Sequence, residues 1–363
     1  SDFYMDLRDK VSDASFRLGR QNSSKGGVLG RFDGFLGGVQ LGEQVRVNLV
    51  TGYPVDSSRN VEIDTDRYFY GLNMDFSPLG GAWEYNGFII EQQVEGLLDR
   101  RGVGGEVRYF NSNKSLFTLV DYDIEFDELN TFLLVGNMTL EGGTNFSLTG
   151  DYRNSPTLTL RNALSGQQSE FIKQLLEIYS EEELRQFAKD RTAKSEFVNV
   201  GITHPLNDVY QVTANISVTN FSSSPESGGV PALEGTGDEY SYDASFIANG
   251  VFLEYDTNIF SLRYFDGNRS KRTTFSFDSR YPITANLRLN PRLRVDYQDT
   301  VETDSNEWRF RPSIRLDYRW RRRVHLEFEL GGEWTSKELN SDFANETETT
   351  EGYYVSLGYR LDF

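Results

Sequence analysis

The tightest constraint on this chain is alternation. Residues 352–363 read GYYVSLGYRLDF, with Tyr353, Val355, Leu357, Tyr359, Leu361 and Phe363 on one face and Tyr354, Ser356, Gly358, Arg360 and Asp362 on the other. Strict period two is a strand with one apolar and one polar face. The pattern recurs upstream. Val324, Leu326, Phe328, Leu330 and Trp334 oppose His325, Glu327, Glu329 and Glu333. Trp308, Phe310, Ile314, Leu316, Tyr318 and Trp320 oppose Arg309, Arg311, Ser313, Arg315, Asp317 and Arg319. Tyr68, Tyr70, Leu72, Met74 and Phe76 oppose Arg67, Asn73 and Asp75.

A soluble antiparallel sandwich and a transmembrane barrel both alternate in this way. Three features favour the barrel. The runs are about 11 to 13 residues long, where soluble strands average about five or six and tilted membrane-crossing strands need roughly 9 to 11. Aromatics sit at both ends of the apolar faces, as Trp308 and Trp320 do, which is the placement of interfacial girdles. The polar faces are heavily charged, which a water-filled interior tolerates and a sandwich core does not.

Composition agrees. Aromatics reach 14% and only eight of the 37 basic residues are Lys, so the cations are mostly Arg, the residue used where charges pair or recognise anions. A net charge of −18 and a pI near 4.7 argue against nucleic acid as a partner. Without Cys, disulfides and thiolate metal sites are excluded, and two His are too few for a metal cluster; no cofactor is expected. Mean hydropathy is −0.53, no stretch approaches the length of a transmembrane helix, and the polar start, SDFYMDLRDKVSD, is no signal peptide, which implies a processed form.

Strands are expected near 13–21, 31–41, 45–55, 67–77, 83–95, 101–111, 115–126, 130–141, 144–153, 196–206, 209–219, 239–252, 258–266, 272–281, 286–298, 308–320, 323–335 and 352–363. The fold class is thus all-β: a transmembrane antiparallel barrel of about 18 strands (16–18). Long connections at 56–66, 154–195, 220–238 and 336–351 follow odd strands of this series and short ones follow even strands, so the long loops are expected outside the cell and both termini in the periplasm. Residues 13–363 form the barrel, and residues 1–12 a periplasmic lead-in. In the lead-in, Phe3, Tyr4, Leu7 and Val11 fall at helical spacing, as at the end of a removed helical domain.

One long extracellular loop carries a helical insert, residues 165–194. Phe171, Ile172, Leu175, Leu176 and Tyr179 have helical spacing, and the capping box Ser180-x-x-Glu183 opens a second helix with Leu184 and Phe187 on its apolar side. These seven apolar residues are candidate gate residues, and the insert is either a cap on the rim or a plug in the lumen. Residues 222–239, rich in Gly, Ser and Pro, read as a mobile loop.

The candidate pore lining is charged. Arg272, Arg280, Arg288, Arg292, Arg294, Arg309, Arg311, Arg315 and Arg319 form a ladder on three consecutive strands, answered by Glu327, Glu329 and Glu333. This is either a cross-strand ion-pair network or a cationic stripe that guides an anionic or hydroxyl-rich solute. An opposing wall is acidic, with Asp121, Asp123, Glu125 and Asp151, and together the two imply a transverse field. His204 shares a face with Val198, Val200 and Ile202 and points to lipid or a rim, while His325 points inward beside Glu327. Neither completes a Ser/His or Asp/His grouping, so no catalytic residue is expected and the chain is read as a non-enzyme, with an outer-membrane enzyme as the remote alternative.

The terminal segment Ser356-x-Gly358-x-x-Leu361-x-Phe363 resembles the C-terminal signal by which bacterial outer-membrane barrels are recognised by their assembly machinery. GRFDGF (30–35), LDRRGVGGEVRYF (98–110), DYRNSPTLTLRNALSGQ (151–167), AKDRTA (188–193) and RPSIRLDYRWRRR (311–323) together resemble the C-terminal barrels of outer-membrane exopolysaccharide exporters that carry periplasmic tetratricopeptide repeats. The resemblance implies a gated pore exporting a polymer, most simply an exopolysaccharide. The partners it implies are outer-membrane lipids, the barrel assembly machinery, and a periplasmic repeat domain or lipoprotein. A general diffusion porin for small solutes and a protein-secretion channel are the alternatives.

Overall fold

The computed structural model describes the chain except residues 1, 10–11, 24–25, 29, 56–61, 80, 322, 341–344 and 362–363. The strands are, in order, β1 Phe3–Arg8, β2 Ser15–Ser23, β3 Gly30–Leu41, β4 Val45–Pro54, β5 Arg67–Leu79, β6 Trp83–Val94, β7 Leu97–Phe110, β8 Lys114–Asp123, β9 Glu128–Thr139 and β10 Asn145–Ser155. After two helices, α1 Ile172–Leu176 and α2 Glu181–Asp190, come β11 Ala193–Pro205, β12 Tyr210–Phe221, β13 Glu239–Asn249, β14 Thr257–Asp266, β15 Ser270–Thr284, β16 Leu287–Thr300, β17 Ser305–Trp320, β18 Val324–Asn340 and β19 Asn345–Leu361. All nineteen belong to one sheet. From β1 to β9, and again from β12 to β19, each strand pairs antiparallel with its predecessor. The fold is therefore the expected one, an all-β antiparallel meander of the barrel class with a short helical insert.

The count exceeds the expected eighteen by one because residues 3–8 form a strand, not the end of a helix. Phe3 pairs with Arg20 and Arg8 with Ser15. This corrects the helical lead-in and takes the first residues toward the 24–29 connection instead of the short-turn end. The second correction is at 336–351, read as a long loop. There β18 and β19 continue as a hairpin, with Lys337 opposite Glu348 and Ser336 opposite Thr349, pairs of opposite charge and hydroxyls that suit cross-strand positions.

The chain comprises two compact units. The first holds residues 1–138, 148–198 and 220–235, the second residues 139–147, 199–219 and 236–363. In the second unit the outward face of β16 to β18 carries Tyr297, Trp308, Phe310, Ile314, Tyr318, Leu326, Phe328 and Trp334, all of them exposed except the half-buried Tyr297 and Trp334. Four of the rings cluster at one end, Tyr297 4.8 Å from Trp308 and Phe310 5.8 Å from Trp334. In the first unit the outward face of β5 to β8 is likewise apolar between Trp83, Tyr85 and Tyr109 at one end and Tyr68, Tyr70 and Tyr122 at the other.

The first unit also has an inward apolar cluster. Phe32, Val50, Phe69, Phe88 and Ile90 are buried on the inner side of β3 to β6, together with Val28. The connection before β3 folds onto them. Gly27 has φ +76°, and a Cβ there would lie 2.6 Å from the Phe88 ring, so only glycine fits.

Candidate functional site

The insert is a small core of its own, seated on strand ends. Leu158, Leu160, Ala163, Ile172, Leu175, Leu184 and Ala188 are buried against Val94 at the end of β6 and Phe126 in the β8–β9 turn. Leu97, Leu176, Tyr179 and Phe187 pack around them, with the Tyr179 and Phe187 rings edge to face at 4.9 Å. The capping box forms: Glu183 N–H donates to Ser180 Oγ at 3.3 Å and Ser180 N–H donates to Glu183 Oε2 at 2.8 Å. Donation from the Ser180 backbone, with a further bond from its hydroxyl, holds the exposed Glu183 carboxyl below the usual glutamate range. Burial pulls the Arg191 guanidinium down despite the neighbouring Asp190 charge; it donates to the Ala163 and Ser227 carbonyls.

Two bulges supply the anchors for the segment leading into the insert. Between β6 and β7, Gln92 pairs with Arg100 but Gln93 with Leu98, so Asp99 is the extra residue. Between β8 and β9, Asp121 pairs with Thr131 but Tyr122 with Leu129, leaving Asn130 extra. Such a residue is released from the ladder and can turn its side chain inward. Both are fully buried. Asp99 accepts Arg161 N–H at 3.0 Å and Asn130 accepts Leu158 N–H at 2.9 Å. Glu95, in the two-residue turn between β6 and β7, accepts the N–H groups of Ile172 and Lys173 at 2.8 and 3.0 Å and so caps α1. Arg185 reaches Glu125 at 3.3 Å and the Leu98 carbonyl at 3.3 Å.

These contacts revise the gate assignment. Ile172, Leu175 and Leu184 face the insert's own core, so they hold it together and present nothing to a solute. Of the seven candidates, Phe171 alone is substantially exposed, and it lines a cavity of about 1270 Å³. The floor of that cavity is the inner wall at Phe32, Phe69, Ile90 and Gln92, and its roof is the segment Pro156–Ser165. The insert therefore rests on the rim with its first segment over the inner face. Within the 222–239 connection, residues 224–233 fold beside it: Ser224 bridges Leu233, Ser227 bridges Val230, and Gln167 donates to the Gly228 carbonyl at 2.7 Å.

The acidic group is compensated, which corrects the transverse field. Arg100 is buried and donates to both oxygens of Asp121 at 2.6 Å, with Asp123 at 3.8 Å from its Nε. Asp123 also accepts the N–H groups of Glu125 and Phe126, both at 2.9 Å. Glu125 meets Arg185, and Asp151 pairs with Arg153. Arg100 was missed because LDRR alternates Arg101 with the apolar residues and hides which Arg the bulge turns inward.

The arginine ladder faces inward, opposite the exposed Trp308, Phe310, Ile314 and Tyr318, and over most of its length it is an ion-pair network. Asp296 joins Arg294 at 3.0 Å and Arg311 at 2.6 Å. Arg292 lies 3.4 Å from Asp278, and Arg309 pairs with Glu307 and, at 3.7 Å, with Glu333. Arg315 reaches Asp317 at 3.4 Å and Glu327 at 3.5 Å. Arg272 donates to Gln298 at 3.0 Å, and Glu329 accepts Tyr354 Oη–H at 2.8 Å. Arg280, Arg288 and Arg319 have no such partner among the described residues; they line a pocket of about 440 Å³ with His325 and Arg360.

His204 points outward with Val198, Val200 and Ile202, and its Nδ1 lies 2.8 Å from Thr144 Oγ1. Ser356, Gly358 and Leu361 of the terminal signal lie in β19, paired with Glu329, Glu327 and Val324, while Phe363 lies outside the described residues.

No protein-family model matches the chain, and no curated protein matches it in sequence. Among solved structures it is similar to a bacterial polysaccharide outer membrane secretin (TM-score 0.35, 9% identity, 88% of this chain and 98% of that one). It is also similar to OmpT of Vibrio cholerae in its trimer form (0.40, 8%, 88% and 99%) and to OccK1 of Pseudomonas aeruginosa (0.38, 9%, 95% and 96%). TM-scores this low transfer nothing from those proteins to this chain.

Proposed function

We propose that this chain is a bacterial outer-membrane channel that exports a hydroxyl-rich polymer, most simply an exopolysaccharide, by passive guided passage through a gated lumen. The observation that carries the reading is the inward side of β15 to β18. Arg272 to Arg280, Arg288 to Gln298, Glu307 to Arg319 and His325 to Lys337, taken at every second residue, comprise only charged, amide, hydroxyl, histidine and glycine positions. With exposed aromatics and aliphatics on the reverse side, this is a wall between lipid and water. A hydrated polymer finds hydrogen-bonding groups along it and no apolar step. In this reading no residue is catalytic. Lipid covers the outward face, the assembly machinery reads Ser356, Gly358, Leu361 and Phe363, and a periplasmic repeat domain or lipoprotein meets the short-turn end.

Replacing residues 165–192 with a short Gly/Ser linker tests the cap. Single-channel conductance in planar bilayers is expected to rise severalfold, and cells are expected to become sensitive to bulky antibiotics. Unchanged conductance would place the gate elsewhere. A general diffusion porin is the second reading, favoured by the internal pairing of the wall charges; steady passage of small sugars with the insert intact would select it.

A further inference from the structure

The pocket at the ends of β15 to β19 is unlike the rest of the wall. In a chain of net charge −18 it gathers Arg280, Arg288, Arg315, Arg319 and Arg360 with His325. The carboxylates within it are Asp317 and Glu327, and both are engaged by Arg315; Asp317 also accepts from Asn290 Nδ2 at 2.6 Å. Three guanidiniums, those of Arg280, Arg288 and Arg319, are left without a carboxylate among the described residues. The cations are also arrayed. Arg280 on β15, Arg288 on β16 and Arg319 on β17 stand on consecutive strands, Arg280 two residues from the Pro282 that faces Arg288 and Arg319 two residues from the Asp317 that faces it. Diagonal neighbours on adjacent strands are about 7–8 Å apart, between the lengths of one and two pyranose units. A guanidinium offers a planar fork that fits a carboxylate at two points.

We propose that this pocket is a docking site for a carboxylate-bearing sugar polymer, held through sugar carboxylates by guanidiniums set one strand apart. The choice of sugar over acidic polypeptide follows from the inward faces of β15 to β18, which offer no apolar anchor for peptide side chains. The proposal deepens the channel reading and rests on it for the route the polymer then takes.

Isothermal titration of the whole chain in neutral detergent micelles tests the site. The probes are tetragalacturonate, neutral maltotetraose, tetraglutamate and inorganic phosphate. Tetragalacturonate is expected to bind at least tenfold more tightly than the other three, less tightly as salt rises. The triple variant Arg280→Ser, Arg288→Ser, Arg319→Ser is expected to lose at least tenfold, and Arg269→Ser, in the β14–β15 connection beside Glu302, to lose nothing. Each single variant, expected to weaken binding severalfold, gives the same reading if the triple variant does not fold. Equal binding of maltotetraose, tetraglutamate or phosphate would overturn the proposal, the last two pointing to an acidic peptide or a simple anion. Titration in micelles needs no conduction. Binding with no conductance gain on removing the insert would sink the cap reading alone; the gain without binding would sink the docking site alone.

Discussion

Glu95 shows how a single side chain couples the wall to the insert. Its carboxylate spans the first two N–H groups of α1, a helix of five residues that cannot stand alone. Glu95→Ala should cost about 1 kcal/mol of insert stability, read as roughly fivefold faster amide exchange at Ile172 and Lys173 with the strands unchanged. Glu183 makes a pH-dependent contribution. Its carboxyl sits below the glutamate range in the folded chain, so the cap is fully present above the unfolded value and is lost as pH falls through the folded one. The Cα shifts of residues 181–183 should therefore move toward coil values as pH falls through that lowered folded value. Glu183→Gln should abolish that titration. Its box was legible in sequence because both halves lie within four residues. Glu95, Asp99 and Arg100 were not, since their partners lie some 20 to 80 residues away.

At the scale of elements, period two placed most strands and named their outward faces correctly, because membrane and water impose opposite demands on alternate residues. It failed where the reverse face is also apolar. Ile89 points out and Ile90 points in, and only the folded-back Gly26–Val28 connection explains the second. It also could not see the two bulges, since a bulge is a property of a pair of strands. The short N-terminal strand imitated a helix because Phe3 and Leu7, four residues apart, share a face in either structure. For β19 the prediction concerns assembly. Deleting Phe363 should cut the amount of protein inserted in cells while leaving refolding into detergent micelles nearly intact. Equal loss in both assays would make the terminal strand a packing element and nothing more.

For the molecule as a whole, the legible part was the architecture and the charged inward face. The balance of those charges was not legible, because composition counts carboxylates and guanidiniums without saying which of them touch. Most of the Arg ladder is matched by Asp or Glu on the same or the adjacent strand, within distances far shorter than the screening length of about 8 Å at physiological salt. A wall neutralised at that grain has an energy profile with shallow wells. A charged chain sliding along it would meet little friction and would be trapped nowhere for long, which transport requires as much as capture does. Arg280, Arg288 and Arg319, without a carboxylate among the described residues, are gathered at one end of β15 to β17. Residence time would then be set there, at entry, and transit beyond it would be governed by the solute's own diffusion.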